Sequence, residues 1–169
     1  MNQNLLILGA GQLGTMAKEI AVCMGCFDRI DFLDDHSALA IGGLADLERL
    51  TSDYSHAIVA IGNPEVRLSL IERAEAGGYH IATLIAPDAH IAPSARLGNG
   101  TIVEPNATVQ TGATVGVGCI ISSGAVIRHN AELERGCHVD CNAVVLSGAS
   151  LPEQFKLAPL TCYPTGNGK

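Results

Sequence analysis

The stretch that decides the fold is SSGAVIRHNAELERGCHVDC, residues 122–141. Ile127, Leu133 and Val139 recur every six residues, and the same register extends outward in both directions. It runs through Ile85, Ile91, Leu97, Val103, Val109, Val115 and Ile121 on one side, and Val145 and Leu151 on the other. Four residues after each aliphatic position comes a small one, such as Ala107, Ala113, Cys119, Ala125, Ala131 and Cys137. The residue before the small one is almost always Gly, Asn or Asp, with Ser94 the exception. Those residue types tolerate a left-handed backbone at a corner.

A six-residue period of this kind builds one short strand and one corner per repeat. Three repeats close a triangular coil of eighteen residues, with the aliphatic side chain inward and the small residue in the cramped space near the corner. The expected architecture is a left-handed parallel β-helix of hexapeptide repeats over residues 84–151. After Leu151 the register is expected to stop, leaving 152–169 as a cap and tail over the open end.

Composition agrees with so narrow a prism. The chain has 169 residues, 19 of them Gly, no Trp, and only 4% aromatic residues. Its formal net charge of −7, without a basic cluster, argues against nucleic-acid binding through phosphates. No apolar run reaches transmembrane length, and MNQNLLILGAG has neither a basic n-region nor a cleavage site. A cytoplasmic protein that does not insert into membranes is expected. Its six cysteines should then be reduced, including the Cys23-Met-Gly-Cys26 pair, which has metal or redox spacing but no second CxxC elsewhere.

Residues 1–83 follow another grammar. NLLIL (4–8), IDFLDD (30–35), HAIVAIG (56–62) and HIATLI (80–85) read as four buried strands. Ala17, Ile20, Ala21 and Met24 mark one helix; Val66, Leu70, Ile71 and Ala74 mark another, ended by Gly77 and Gly78. Strands alternating with helices imply a small parallel sheet, here a Rossmann-like α/β domain. Gly9-x-Gly11-x-x-Gly14 falls between a strand and a helix, where glycines let backbone N–H groups approach a pyrophosphate. Asp34 and Asp35 end the next strand, where a carboxylate can hold a ribose diol. Gly62 and Asn63 sit past the third strand at the carboxyl edge, and Arg67 opens the next helix, positioned for a phosphate or simply within a capped loop. Four strands are few for a dinucleotide, so a nucleoside diphosphate sugar is the expected ligand.

His129 lies at a corner, with Thr111 and Ser147 in equivalent places one coil to either side. His138 precedes inward-facing Val139, so its side chain points outward. The two histidines are half a coil apart and cannot meet within one prism. Flat faces packing around a threefold axis would bring them to clefts between subunits. A neutral imidazole there can take a proton from an attacking amine or hydroxyl. Asn130 can orient the imidazole or merely serve the corner. His36, His56, His80 and His90 show no paired spacing.

LLILGAGQLG, FLDD, AIGNPEVR, ATLIAPDAHIAPSARLGNGTIV and GAVIRHNAEL, in that order, resemble the bacterial sugar O- and N-acetyltransferases with a left-handed β-helix. Sialic acid O-acetyltransferases and UDP-4-amino-sugar N-acetyltransferases are of this type. The resemblance covers roughly residues 4–150. It implies a nucleotide-sugar-binding N-terminal domain and a homotrimeric β-helix that takes acetyl-CoA between subunits, with no metal. It also implies His129 as general base, with His138, Ser147 and Gly148 in the vicinity of the acetyl donor. Three features depart from the family pattern. The glycine turn lacks its usual histidine, reading Gly11-Gln12-Leu13-Gly14; the acidic neighbour of the base is Asn130; and the repeat is expected to end early, near Leu151.

The function these readings imply is acetyl transfer from acetyl-CoA to a nucleotide-linked amino sugar, such as a UDP-sugar, or to a related sugar, for surface glycan synthesis. The alternatives are a trimeric nucleotide-sugar-binding scaffold without a coenzyme A site, and a zinc hydratase, which needs three converging histidines.

Overall fold

A computed structural model describes residues 3–164. The chain divides into two compact units, residues 1–84 and 85–169.

The first unit is a four-stranded parallel sheet. Its strands are β1 (Leu5–Leu8), β2 (Ile30–Leu33), β3 (His56–Val59) and β4 (His80–Ile81), in the order β2-β1-β3-β4. All four β1 side chains are fully buried, as a strand covered on both faces requires. Helix α1 (Gln12–Met24) packs on β1 and β2, and α2 (Pro64–Ala76) packs on β3 and β4. Helix α1 buries Gly14, Ala17, Ile20 and Ala21, one face at helical spacing. Gly25 ends it in a left-handed conformation, and its N–H donates to the Val22 carbonyl. Between β2 and β3 a 3-10 turn over Leu44–Leu50 buries Leu47 and Leu50 beneath the sheet's core cluster. The six-residue run HIATLI is not one strand. His80–Ile81 closes this sheet, while Leu84–Ile85 begins the next structure.

The second unit is a left-handed parallel β-helix built from two-residue strands. One face stacks Leu84–Ile85, Ile102–Val103, Ile120–Ile121, His138–Val139 and Lys156–Leu157. The next stacks His90–Ile91, Thr108–Val109, Val126–Ile127, Val144–Val145 and Cys162–Tyr163. The third stacks Arg96–Leu97, Thr114–Val115, Glu132–Leu133 and Ser150–Leu151. The second residue of each strand is the aliphatic position of the six-residue register, and these residues form one continuous core column. The small residues from Thr101 to Ala149 are fully buried. Between them, the corners from Gly100 to Gly148 hold φ between 54° and 73°.

The repeat does not stop at Leu151. Lys156–Leu157 pairs in register with His138–Val139, and Cys162–Tyr163 with Val144–Val145. Leu157 and Tyr163 continue the inward positions, and Gln154 and Leu160 occupy left-handed corners at φ 60° and 59°. A non-glycine corner is tolerated because the coil below fixes the backbone: Gln154 N–H donates to the Arg135 carbonyl and Leu160 N–H to that of Cys141. The rings of Phe155 and Tyr163 meet edge-to-face, 5.2 Å between centroids, and pack on the last of the core column. Residues 152–164 therefore belong to the β-helix rather than to a separate cap. The remainder of the expected tail, 165–169, lies outside the described residues.

Candidate functional site

In the first unit, the glycine turn links β1 to α1. Gly9 has φ 103°, and a Cβ there would meet the Ala60 carbonyl oxygen at 2.7 Å. A Cβ on Gly14 would collide with the Gly9 carbonyl oxygen, so both glycines are required by close backbone approach. Gly11, the N-cap of α1, faces open space and has no side chain to satisfy the first-turn N–H groups. That leaves them available at the helix N-terminus.

Asp34 is tied to this turn. One oxygen accepts the Ala10 N–H at 2.8 Å, and the other accepts the His36 N–H at 2.8 Å. These two backbone donors hold its carboxyl below the usual Asp range. Asp35 accepts the Leu44 N–H at 2.8 Å. Both carboxylates thus shape the loop after β2, and each oxygen keeps further lone-pair capacity.

At the edge of β3, Asn63 is the N-cap of α2, its side-chain oxygen accepting the Val66 N–H at 3.0 Å, with Pro64 at the first helical position. Gly62 precedes it. Arg67 departs from its expected placement facing a phosphate. It is fully buried, and its guanidinium donates to the carbonyls of Ile61 and Gly62 at 2.8 and 2.9 Å. The helical register turns it inward beside Leu68, Leu70 and Ile71, where it braces the loop from beneath.

In the β-helix, His129 stands exposed at a corner. Its Nε2 shares a hydrogen bond of 2.9 Å with Ser147 Oγ on the next coil, and its backbone N–H donates to Gln110 Oε1 at 3.1 Å on the coil before. Asn130 is the left-handed corner residue itself, at φ 57°, and its N–H donates to the Thr111 carbonyl. Its side-chain oxygen lies over Gly112, and the contact that orients the imidazole is made by Ser147. Gly148 is the corresponding corner one coil on, at φ 67°, its N–H donating to the His129 carbonyl.

His129 and Asn130 line an open groove of about 590 Å³ with His90, Ala92, Thr108, Gln110 and Thr111. His90 is the residue that spacing did not single out. The coil geometry stacks it under Thr108, two rungs from the coil of His129, a juxtaposition visible only once the register is folded into faces. His138 is on a different face, half-buried, and its Nε2 shares a 3.0 Å hydrogen bond with buried Ser122 Oγ. The β-helix thus separates His138 from the His129 groove and brings His129 and Ser147 together. Among the described residues, no group of three or more His, Cys, Asp or Glu is arranged to hold a metal ion. Cys23 and Cys26 are exposed free thiols at the end of α1. No helix of the described residues is long and apolar enough to cross a membrane.

An α/β unit with a tight glycine turn, followed in the chain by a left-handed hexapeptide β-helix with a corner histidine in an open groove, defines a two-unit hexapeptide-repeat protein. Residues 4–74 match the PglD N-terminal domain family, and the proteins that the chain resembles over more of its length are sugar N-acetyltransferases. UDP-N-acetylbacillosamine N-acetyltransferase of Bacillus subtilis (strain 168) is 31% identical in an alignment of 109 residues that covers 59% of this chain and 50% of that protein. The chain thus spans about half the length of that curated relative. The acetyltransferase domain of PglB from Neisseria gonorrhoeae superposes with a TM-score of 0.83 at 29% identity, covering 95% of this chain and 88% of that one. The same domain in complex with acetyl coenzyme A gives a TM-score of 0.79 at 28% identity, covering 96% and 88%. A histidine-to-asparagine mutant of perosamine N-acetyltransferase from Caulobacter crescentus, in complex with CoA and GDP-perosamine, gives 0.86 at 25% identity, covering 90% of this chain and 76% of that one.

Proposed function

We propose that the protein transfers the acetyl group of acetyl-CoA to the amine of a nucleotide-linked amino sugar destined for a surface glycan. The observation that carries this reading is the His129 imidazole, held by Ser147 in an open groove lined also by His90, Ala92, Thr108, Gln110, Thr111 and Asn130. The relatives with acetyl coenzyme A, CoA and GDP-perosamine bound support the classes of donor and acceptor.

In this reading Ser147 Oγ accepts from Nε2–H of His129, which leaves the lone pair of Nδ1 to receive a proton. The acceptor amine attacks the thioester carbonyl, and His129 removes the proton that the nitrogen sheds as the C–N bond forms. A backbone N–H of a neighbouring coil stabilises the oxyanion, and its collapse expels the coenzyme A thiolate, which takes up a proton. His138 and the Ser147–Gly148 corner approach the donor from the faces of a homotrimer. In the α/β unit, Gly9, Gly11, Gly14, Asp34, Asp35, Gly62 and Asn63 are the residues suited to a nucleotide, the N-terminus of α1 offering N–H groups to a diphosphate. Arg67 supports them by bracing the Ile61–Gly62 backbone.

Thiol release from acetyl-CoA, measured across a panel of UDP- and GDP-linked amino sugars, tests the proposal. Release is expected only with a sugar present, and His129→Ala is expected to slow it about a hundredfold or more. Nucleotide-sugar binding without release by the wild-type protein would overturn it.

A further inference from the structure

Within the His129 groove, the side chains other than the two histidines are Ala92, Thr108, Gln110, Thr111 and Asn130. None carries a charge. The threonines and amides suit hydroxyl groups, which they can meet as donors or acceptors. An imidazole differs from them because protonation gives it a positive charge that can be directed at an anion. His129 is engaged with Ser147, whereas His90 stands exposed at the other end of the groove.

The separation follows from the register. His90 pairs with Thr108, and Thr108 pairs with Val126 on the coil that carries His129. Two rungs at the usual strand spacing place the strand of His90 ~10 Å from that coil. In a 4-amino hexose the reacting nitrogen and the anomeric carbon lie on opposite sides of the ring. A sugar with its amine at His129 and its ring along the rungs would thus direct its anomeric phosphate toward His90.

Resting on the acetyltransferase reading above, we infer that His90 is a specificity-determining residue that binds the sugar-linked phosphate of the acceptor, at the opposite end of the groove from the reacting amine. It selects a phosphorylated, nucleotide-linked sugar over a neutral glycoside of the same stereochemistry. It does not act on the amine or the thioester, and its loss weakens acceptor binding without slowing the chemical step.

The test is steady-state kinetics on the full chain with an acceptor nucleotide sugar, for wild type, His90→Leu and His90→Lys. His90→Leu is expected to raise acceptor KM about tenfold, the worth of one charge-assisted hydrogen bond. Its kcat and its KM for acetyl-CoA should stay within about twofold of wild type. His90→Lys, which supplies a cationic donor at the same place, should recover most of the loss. An acceptor KM unchanged in His90→Leu would overturn the inference, as would a kcat that falls with it or a KM raised equally in both variants. Those outcomes would leave the transferase reading standing. Wild-type protein without thiol release would remove that reading instead, and the two failures are therefore distinguishable.

Discussion

Ser147 Oγ and His129 Nε2 lie 2.9 Å apart, joining consecutive coils of the β-helix through equivalent corner positions. The pair fixes the imidazole orientation by the same stacking that builds the fold. Ser147→Ala removes one exposed hydrogen bond worth about 1 kcal/mol. If that bond orients the base, kcat falls about fivefold while acceptor KM and the thermal midpoint hardly move. His129→Ala should lose far more, and the double variant should resemble His129→Ala alone, because the two residues act as a unit. Kinetics on the three variants checks the coupling.

Asp34 bridges the backbone of Ala10 in the glycine turn and that of His36 in the loop after β2. Because these donors lower its folded-state pKa, its contribution is present above the ordinary Asp range of about 3.9 and is lost as pH falls through the folded-state value. Asp34→Asn keeps the shape and removes the charge. At neutral pH it should cost about 1 kcal/mol. The gap between the melting curves of variant and wild type should close as pH is lowered below the Asp range. A pH series of thermal melts gives the answer.

Arg67 is fully buried and donates to the Ile61 and Gly62 carbonyls. Arg67→Met fills similar volume and leaves those carbonyls short of donors. The expected loss is about 2–3 kcal/mol in denaturant unfolding of the α/β unit. The unfolding of the β-helix unit should be unchanged. Since the two units need not unfold together, the experiment calls for a probe in each.

What the sequence disclosed and what it concealed follow from where the physical constraint lies. The register from Ile85 to Leu151 was legible because each coil demands an aliphatic residue inward and a small residue near the corner. The last coil escaped because Gln154, Phe155, Leu160 and Tyr163 fill the same places with unexpected residue types, held there by hydrogen bonds from the coil below. In the site, the corner position of His129 was readable from spacing. The inward turn of Arg67 was not, because its helix could have been rotated either way until Leu68 and Ile71 were seen to share its burial. His90 entered the groove only through inter-coil pairing, which a local pattern does not carry.

Leu160 offers the most direct test of the last coil. It sits at φ 59° with 80% of its surface exposed, so it bears the strain of a left-handed corner and keeps an apolar side chain in water. A left-handed L-residue costs about 1–2 kcal/mol, and glycine returns part of that through the greater freedom of the unfolded chain. Leu160→Gly should therefore stabilise the β-helix by about 0.5–1 kcal/mol. Leu157→Ala, three residues earlier and buried in the core column, should instead destabilise it by about 2–3 kcal/mol. Thermal melts of both variants check this. If 152–164 were a loose cap, neither substitution would move the midpoint; opposite shifts are what a true final coil requires.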